Sequence, residues 1–328
     1  MKKIVIGIHG LGNKPPLDIL RKWWKSAIDE GLEFIGQPHP LMKFEMVYWA
    51  DLLYPQPEDP QQTDENSPYF IDEPYYRANK HSTYIPDYTQ IKKRKFISEQ
   101  LDNIFLNTAG KVKFSSFSAY IIRRYFHDLD IYFSREKIKD GEKTIRDAVC
   151  ERLIAVLNKY KRRDILLIAH SMGSIITLDA LNRFNINVDT LITIGSPLGL
   201  AVIRSKIVPP VGKNSASAIP QTIKRAWYNF ADLNDKVALD FDLADDFIDE
   251  KGRIKVEDFQ IYNDYEYNEK RNPHKAFGYL RTRKIAEVIH NFLMQNTLKY
   301  FHGLISRFNR MIYQIKKQKL TKGMSKIS

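Results

Sequence analysis

The sequence predicts an α/β protein built on a mostly parallel sheet, with one inserted segment. Residues 2–8 form a short run of branched apolar residues that ends in a glycine turn, and an apolar-periodic helix and a second apolar strand follow. Strand, turn, helix, strand is a βαβ unit, which implies parallel pairing. The same alternation resumes at residue 143. Residues 55–135 between the two regions show neither period.

The elements follow from these patterns in order. The first strand, 2–8, leads into His9-Gly10-Leu11-Gly12. Pro15-Pro16 then opens a helix with Leu20, Trp23, Trp24, Ala27 and Ile28 on one face, proline being favoured in a first helical turn. Residues 44–49 make a second strand. From Pro55 onward Pro, Gln and Asp, then tyrosine-rich and basic stretches, replace strand alternation, and a stretch of this length points to a functional lid or small cap. Two helical patterns lie within it, at 97–106 and 117–126. Residues 143–159 predict a helix with Ile145, Val149, Leu153, Val156 and Leu157 on its apolar stripe. Next come a strand at 164–169, a helix at 174–183, a strand at 188–194, and a Pro-, Ser- and Lys-rich loop at 205–220. Strands at 223–230 and 255–262 and a helix at 277–294 complete the pattern, without repeats at solenoid periods.

A chain of 328 residues, 43% hydrophobic, can bury a large core, here a single domain over 1–328 interrupted at 55–135. Its lone cysteine, Cys150, has no intramolecular disulfide partner and falls in a helical pattern, where it reads as a small buried packing residue. The two N-terminal lysines and the apolar run after them are too short for a secretory signal and lack a cleavage site. No stretch approaches the ~18 apolar residues of a membrane span, so a cytoplasmic location is expected, with peripheral membrane contact left open. The net charge is +12. Eight of its positive charges, from Lys299 to Lys326, follow Glu287, the last acidic residue, which makes 298–328 a basic tail.

Ser171 lies in Ala169-His170-Ser171-Met172-Gly173, between a strand of branched apolar residues and an apolar-periodic helix. That is the context of a nucleophile elbow, whose tight turn needs small residues two before and two after the serine. The alternative is a serine that N-caps the helix. Two amides must hold the oxyanion of an acyl-transfer intermediate: the N–H of Met172, and one from the glycine turn after the first strand, best supplied by Leu11. A phosphate-loop reading of that turn fails, because Gly7, Gly10 and Gly12 do not form G-x-G-x-x-G and no Gly-Lys-Ser/Thr is present. Of eight histidines, His274 has the position expected of a base, after the last strand and before the last helix. His290 sits within a helix as a surface or packing residue, and His9 and His170 read as motif neighbours. Asp235 is the preferred orienting carboxylate and Asp232 the alternative, since both follow the 223–230 strand. The acidic run 240–250 lacks the glycine and spacing of a calcium loop and reads as a solvated loop.

Together these residues resemble the α/β-hydrolase superfamily in its lipase-like and esterase-like branch, over 2–49 and 143–296, with the insertion and tail unmatched. The resemblance rests on His9-Gly10-Leu11-Gly12, Ala169 to Gly173, Asp235-Lys236-Val237 and His274. It implies a doubly wound sheet of about eight strands and a Ser-Asp-His mechanism with no cofactor and no metal. Alanine replaces the first elbow glycine, and Lys236 stands where proline is frequent. The expected activity is hydrolysis of a carboxylic ester, a small-molecule or lipid ester, with thioester, amide and acyl-transfer chemistry on the same residues left open, as is a non-catalytic binding protein of the same fold. In the tail, Phe301, Leu304, Ile305, Phe308, Ile312 and Ile315 recur at helical spacing among basic residues. This predicts a helix packed on the body, or else one lying on an anionic membrane. Nucleic-acid binding ranks third, since charge without a recognisable module is weak evidence.

Overall fold

A computed structural model describes residues 2–78, 128–134, 137, 143–208, 210–211, 216–238 and 242–295. Its centre is a six-stranded sheet of β1 (Lys3–Ile8), β2 (Phe44–Val47), β3 (Asp164–His170), β4 (Val188–Ile194), β5 (Ile223–Asp232) and β6 (Val256–Ile261). The strand order is β2-β1-β3-β4-β5-β6 and every pair is parallel. Among the described residues the central sheet has six strands, where the family resemblance implied about eight.

A parallel sheet with both faces covered needs strands that are apolar on both sides, and side chains alternate accordingly. Ile4, Ile6 and Ile8 of β1 join Ile165, Leu167 and Ala169 of β3 in one core, while Val5, Leu166 and Ile168 join the other. The first core is covered by α2 (Ile145–Lys159) and α3 (Met172–Arg183), the second by α1 (Leu17–Ile35) and α6 (Arg283–Met294). Because the chain winds from β1 outward to β2 and then returns to β3 on the other side of β1, α1 and α3 lie on opposite faces. The strand ends of β1 and β3 are therefore left uncovered between them.

Some local expectations change. The helix expected over 277–294 is broken into α5 (Ala276–Leu280) and α6 at Arg281-Thr282. Arg281 turns inward there, 1% exposed, and its Nε donates to Asp264 at 2.6 Å, so the chain cannot continue as a surface helix. The stretch expected as a loop at 205–220 contains the end of α4 (Ala201–Ile207) and two short strands, Pro210–Val211 and Ala216–Ala218, which form a small sheet with Phe247–Ile248. A hairpin, Glu266–Tyr267 with Lys270–Arg271, turns at Asn268 and Glu269, both with positive φ. The helical patterns at 97–106 and 117–126 and the basic tail lie outside the described residues. Among the described residues no helix is long and apolar enough to cross a membrane.

Both ends of the inserted segment are fastened to the body. Near its start, Glu30 of α1 accepts from Tyr75 Oη at 3.1 Å and from the Ala78 N–H at 2.9 Å. At its far end residues 128–133 are helical. There Tyr132 Oη donates to buried Asp179 at 2.7 Å, and Arg146 binds both oxygens of Asp179 at 2.6 Å. Cys150 is buried beside them, its thiol pushed up to about 12 by burial and the Asp179 charge, in keeping with a packing residue. Replacing Asp179 removes the acceptor of the Tyr132 hydroxyl and the charge partner of the Arg146 guanidinium, which keeps its bond to the Lys206 carbonyl. Asp179→Ala should therefore lower unfolding stability by about 3–5 kcal/mol, read as a lower urea midpoint.

Candidate active site

At the ends of β1 and β3 the chain turns to opposite faces, into α1 and α3, and in an open α/β sheet ligands bind in the crevice at such a reversal. Ser171 occupies the turn from β3 into α3 with φ 53° and ψ −126°. It makes no side-chain cap to α3, so the N-cap alternative does not hold. The turn is held by backbone bonds instead, from the Ser171 N–H to the Ile194 carbonyl at 3.0 Å and from Ser174 N–H to the Ser171 carbonyl at 2.9 Å. Small neighbours are required on both sides. A β-carbon on Gly173 would meet the Ile8 and His9 carbonyl oxygens at 2.8 Å, and one on Gly10 would meet Ser171 Cβ at 2.7 Å.

Ser171 Oγ lies 3.0 Å from His274 Nε2, and His274 Nδ1 lies 2.8 Å from Asp235 Oδ2. A carboxylate can only accept, so Nδ1 carries the proton and Nε2 is left to accept from the serine hydroxyl. Asp235 is fully buried and also accepts from Tyr279 Oη at 2.8 Å and the Val237 N–H at 2.8 Å. Burial alone would raise its carboxyl, but His274 and these donors hold it below the usual carboxylate range. Asp235 is thus ionised and aimed at the imidazole.

Asp232 is turned elsewhere. It accepts from the N–H groups of Asn234 and Asn263, each at 2.6 Å, and from the Arg271 guanidinium. Its own N–H donates to Tyr279 Oη at 2.9 Å. Tyr279 therefore links the two carboxylate positions, and Asp232 ties down the loop on which Asp235 is presented. Between the two aspartates left open by the sequence, the structure brings Asp235 to His274.

Leu11 borders the same cavity as Ser171 and His274. Met172 is the first residue of α3, where an N–H has no helical acceptor. The carbonyl of Gly10 accepts from His9 Nδ1 at 2.8 Å. Since a trans peptide directs its N–H opposite to its C=O, the Leu11 N–H points away from His9. The cavity measures about 280 Å³ and is walled by Leu20, Trp23, Trp24 and Phe277, with Glu58 and Glu73 contributed by the inserted segment.

Two histidines read as motif neighbours have defined tasks. His9 Nε2 accepts the Trp49 N–H at 3.0 Å and its ring stacks on Trp49, while burial holds its imidazole down at about 3. His170 Nε2 donates to the His274 carbonyl at 2.7 Å, and its ring lies 4.8 Å from that of His274. Burial and the nearby His274 charge keep it well below its ordinary value. His290 is half-buried on α6, away from the cavity, and bonds the Pro38 carbonyl at 3.1 Å. Tyr279 and Gly195 were not identifiable from the sequence. Tyr279 looked like one more apolar helix position, whereas Gly195 follows β4 in a visible turn, Gly195-Ser196-Pro197. Its φ is +54°, and a β-carbon there would come within 2.8 Å of Asp235 Oδ2 and 3.1 Å of His274 Nδ1.

His9 and His170 are neutral in the fold but take up protons in the unfolded chain near pH 6.5. Both folded values are lowered, so acidification below pH 6.5 favours the unfolded state. At pH 5 His9 alone should cost about 2 kcal/mol of stability relative to pH 7.5, with His170 acting in the same direction. Urea midpoints measured across that range should decline, and more shallowly in His9→Gln; a flat profile would contradict the neutral assignments. No protein-family model matches the chain and no curated protein matches it, which leaves the geometry of this site to carry the functional assignment.

Proposed function

We propose that the protein is a serine hydrolase of the α/β-hydrolase kind, cleaving a carboxylic ester through an acyl-enzyme on Ser171. The observation that carries this reading is the continuous line from Ser171 Oγ through His274 to Asp235, with links of 3.0 and 2.8 Å, opening into a cavity at the β1/β3 reversal. The strand order agrees with a doubly wound fold of that kind, and residues of the 55–135 segment along the cavity agree with a cap over it.

The cycle follows from the proton positions. His274 Nε2 takes the proton of Ser171 as Oγ attacks the ester carbonyl, and the Met172 and Leu11 amides receive the charge that develops on oxygen. The imidazolium then gives that proton to the leaving alkoxide. Water, deprotonated by the same Nε2, attacks the acyl-enzyme, and the proton returns to Oγ as the acid leaves. Asp235 stays ionised throughout, holding the tautomer and stabilising the imidazolium. Apolar walls of Leu20, Trp23, Trp24 and Phe277 favour an uncharged acyl group, and about 280 Å³ favours a short one.

The test is reaction with a fluorophosphonate probe and turnover of p-nitrophenyl esters of increasing chain length. Ser171→Ala should abolish labelling while remaining folded, and Asp235→Asn should lower kcat by about 10³–10⁴-fold. Asp232→Asn should destabilise the fold but change kcat per folded molecule by less than about tenfold. A folded wild type that neither labels nor turns over any ester would remove the proposal.

A further inference from the structure

Two carboxylates from the inserted segment reach the two halves of the site. Near the segment's end, buried Asp128 accepts the Gly12 N–H at 3.0 Å, directly after Leu11, and accepts Tyr54 Oη through both oxygens at 3.0 and 3.2 Å. Lys14 completes the clamp on that turn by donating to the carbonyls of Leu11, Gly12 (3.1 Å) and Asn13 (3.0 Å). Near the segment's start, Glu73 accepts from Asn272 Nδ2 through both oxygens at 2.8 Å and pairs with Lys275 at 3.1 Å. The other end of the Asn272 side chain, Oδ1, accepts the His274 N–H at 2.9 Å.

We infer that Asp128 and Glu73 are positioning residues, one for the oxyanion turn and one for the histidine loop, so that the inserted segment couples its own seating to the competence of the site. The inference rests on the hydrolase reading. Asp128 is 55 positions from Glu73 in sequence, yet each acts on a different reacting group: Asp128 through the Gly12 amide on the Leu11 peptide, Glu73 through the Asn272 amide on the His274 backbone. The geometry is specific in its chemistry. The Gly12 N–H is taken up by Asp128, which fixes the plane of the Leu11–Gly12 peptide next to the proposed donor. The 272–275 loop is held on its other flank by Asn263, whose Nδ2 donates to the Pro273 and Lys275 carbonyls at 2.9 and 2.8 Å. Removing Glu73 therefore loosens one flank of that loop without freeing it, and its effect should appear in the behaviour of the base.

The experiment compares Asp128→Leu with Asp128→Asn, and Glu73→Leu with Glu73→Gln, in the full chain. Fluorophosphonate labelling rates, kcat, KM and the pH profile of kcat/KM are read per folded molecule, with folding measured by circular dichroism and urea midpoints. Asp128→Leu should lower labelling and kcat about tenfold or more at nearly constant KM, with an unchanged pH profile, because only oxyanion geometry is disturbed. Glu73→Leu should lower kcat and displace the acid limb of the profile, which reports the base. The Asn and Gln variants keep an acceptor oxygen and should restore most of the loss. Should Asp128→Leu fail to fold, Tyr54→Phe, which removes only the second partner of Asp128, should give a smaller fall in kcat of the same kind. Wild-type rates in the folded Leu variants, or in Tyr54→Phe where it stands in for Asp128→Leu, overturn the inference, as do equal losses in the Leu and conservative variants. A wild type that does not label at all removes the hydrolase reading itself, whereas a labelled wild type with unaffected variants removes the coupling alone.

Discussion

At Ser171 the chain must leave a buried parallel strand and enter a helix within one residue. It does so at φ 53° and ψ −126°, a region that costs a residue with a β-carbon about 1–3 kcal/mol. Such a turn persists only where its surroundings over-determine it. The Ser171 N–H is bound by Ile194 of the next strand, the Ser171 carbonyl by both the N–H and, at 2.6 Å, the hydroxyl of Ser174, while Gly10 lies against the Ser171 β-carbon and Gly173 against the Ile8 and His9 carbonyls. The side chain is thereby lifted clear of the helix it precedes. Without this constraint the hydroxyl would cap α3, and no serine would face His274.

Once the hydroxyl is fixed, burial grades the groups behind it. Asp235 has no exposure, His274 is about a quarter exposed at its side chain, and the cavity lies beyond. A buried carboxylate is tolerable only with its charge met by donors, and Asp235 has the imidazole, the Tyr279 hydroxyl and a backbone N–H. Asp232 illustrates the contrast at three residues' distance. It too is buried, but its donors are backbone amides and Arg271, so its charge is spent on holding the loop. Both aspartates depend on Tyr279, which donates to the carboxylate of Asp235 and accepts from the backbone N–H of Asp232.

Much of this was legible in the sequence because it is local. The elbow, the glycine turn and the six strands are each written in consecutive residues whose period or size is diagnostic, and Ser171, His274 and Asp235 were named in the order in which the structure joins them. The sequence favoured Asp235 but left Asp232 open, since the choice depends on Arg271 and Asn263, which are distant in the chain. His170 was visible as a neighbour of the serine, but its bond to the His274 carbonyl depends on the end of β3 and the 272–275 loop being brought together. The break in the last helix was hidden for a similar reason: the sequence 277–294 keeps its apolar period, and only the buried partners of Arg281 show why the chain turns.

The histidines also show why one imidazole can accept a proton in a crowded, basic protein. Three rings, His9, His170 and His274, lie around the reversal of the sheet, and a second charged ring 4.8 Å from His274 would oppose its protonation. The fold avoids this by desolvating the other two, and His9 in addition accepts a backbone N–H that only a neutral ring can take. His9 accepts from one backbone N–H and donates to one carbonyl, and His170 donates to the carbonyl of His274 itself. The bond that fixes the His274 loop thus comes from a ring that remains uncharged. Asp235, in direct contact with the imidazole through Nδ1, then supplies a stabilising negative charge that neither neighbouring ring opposes.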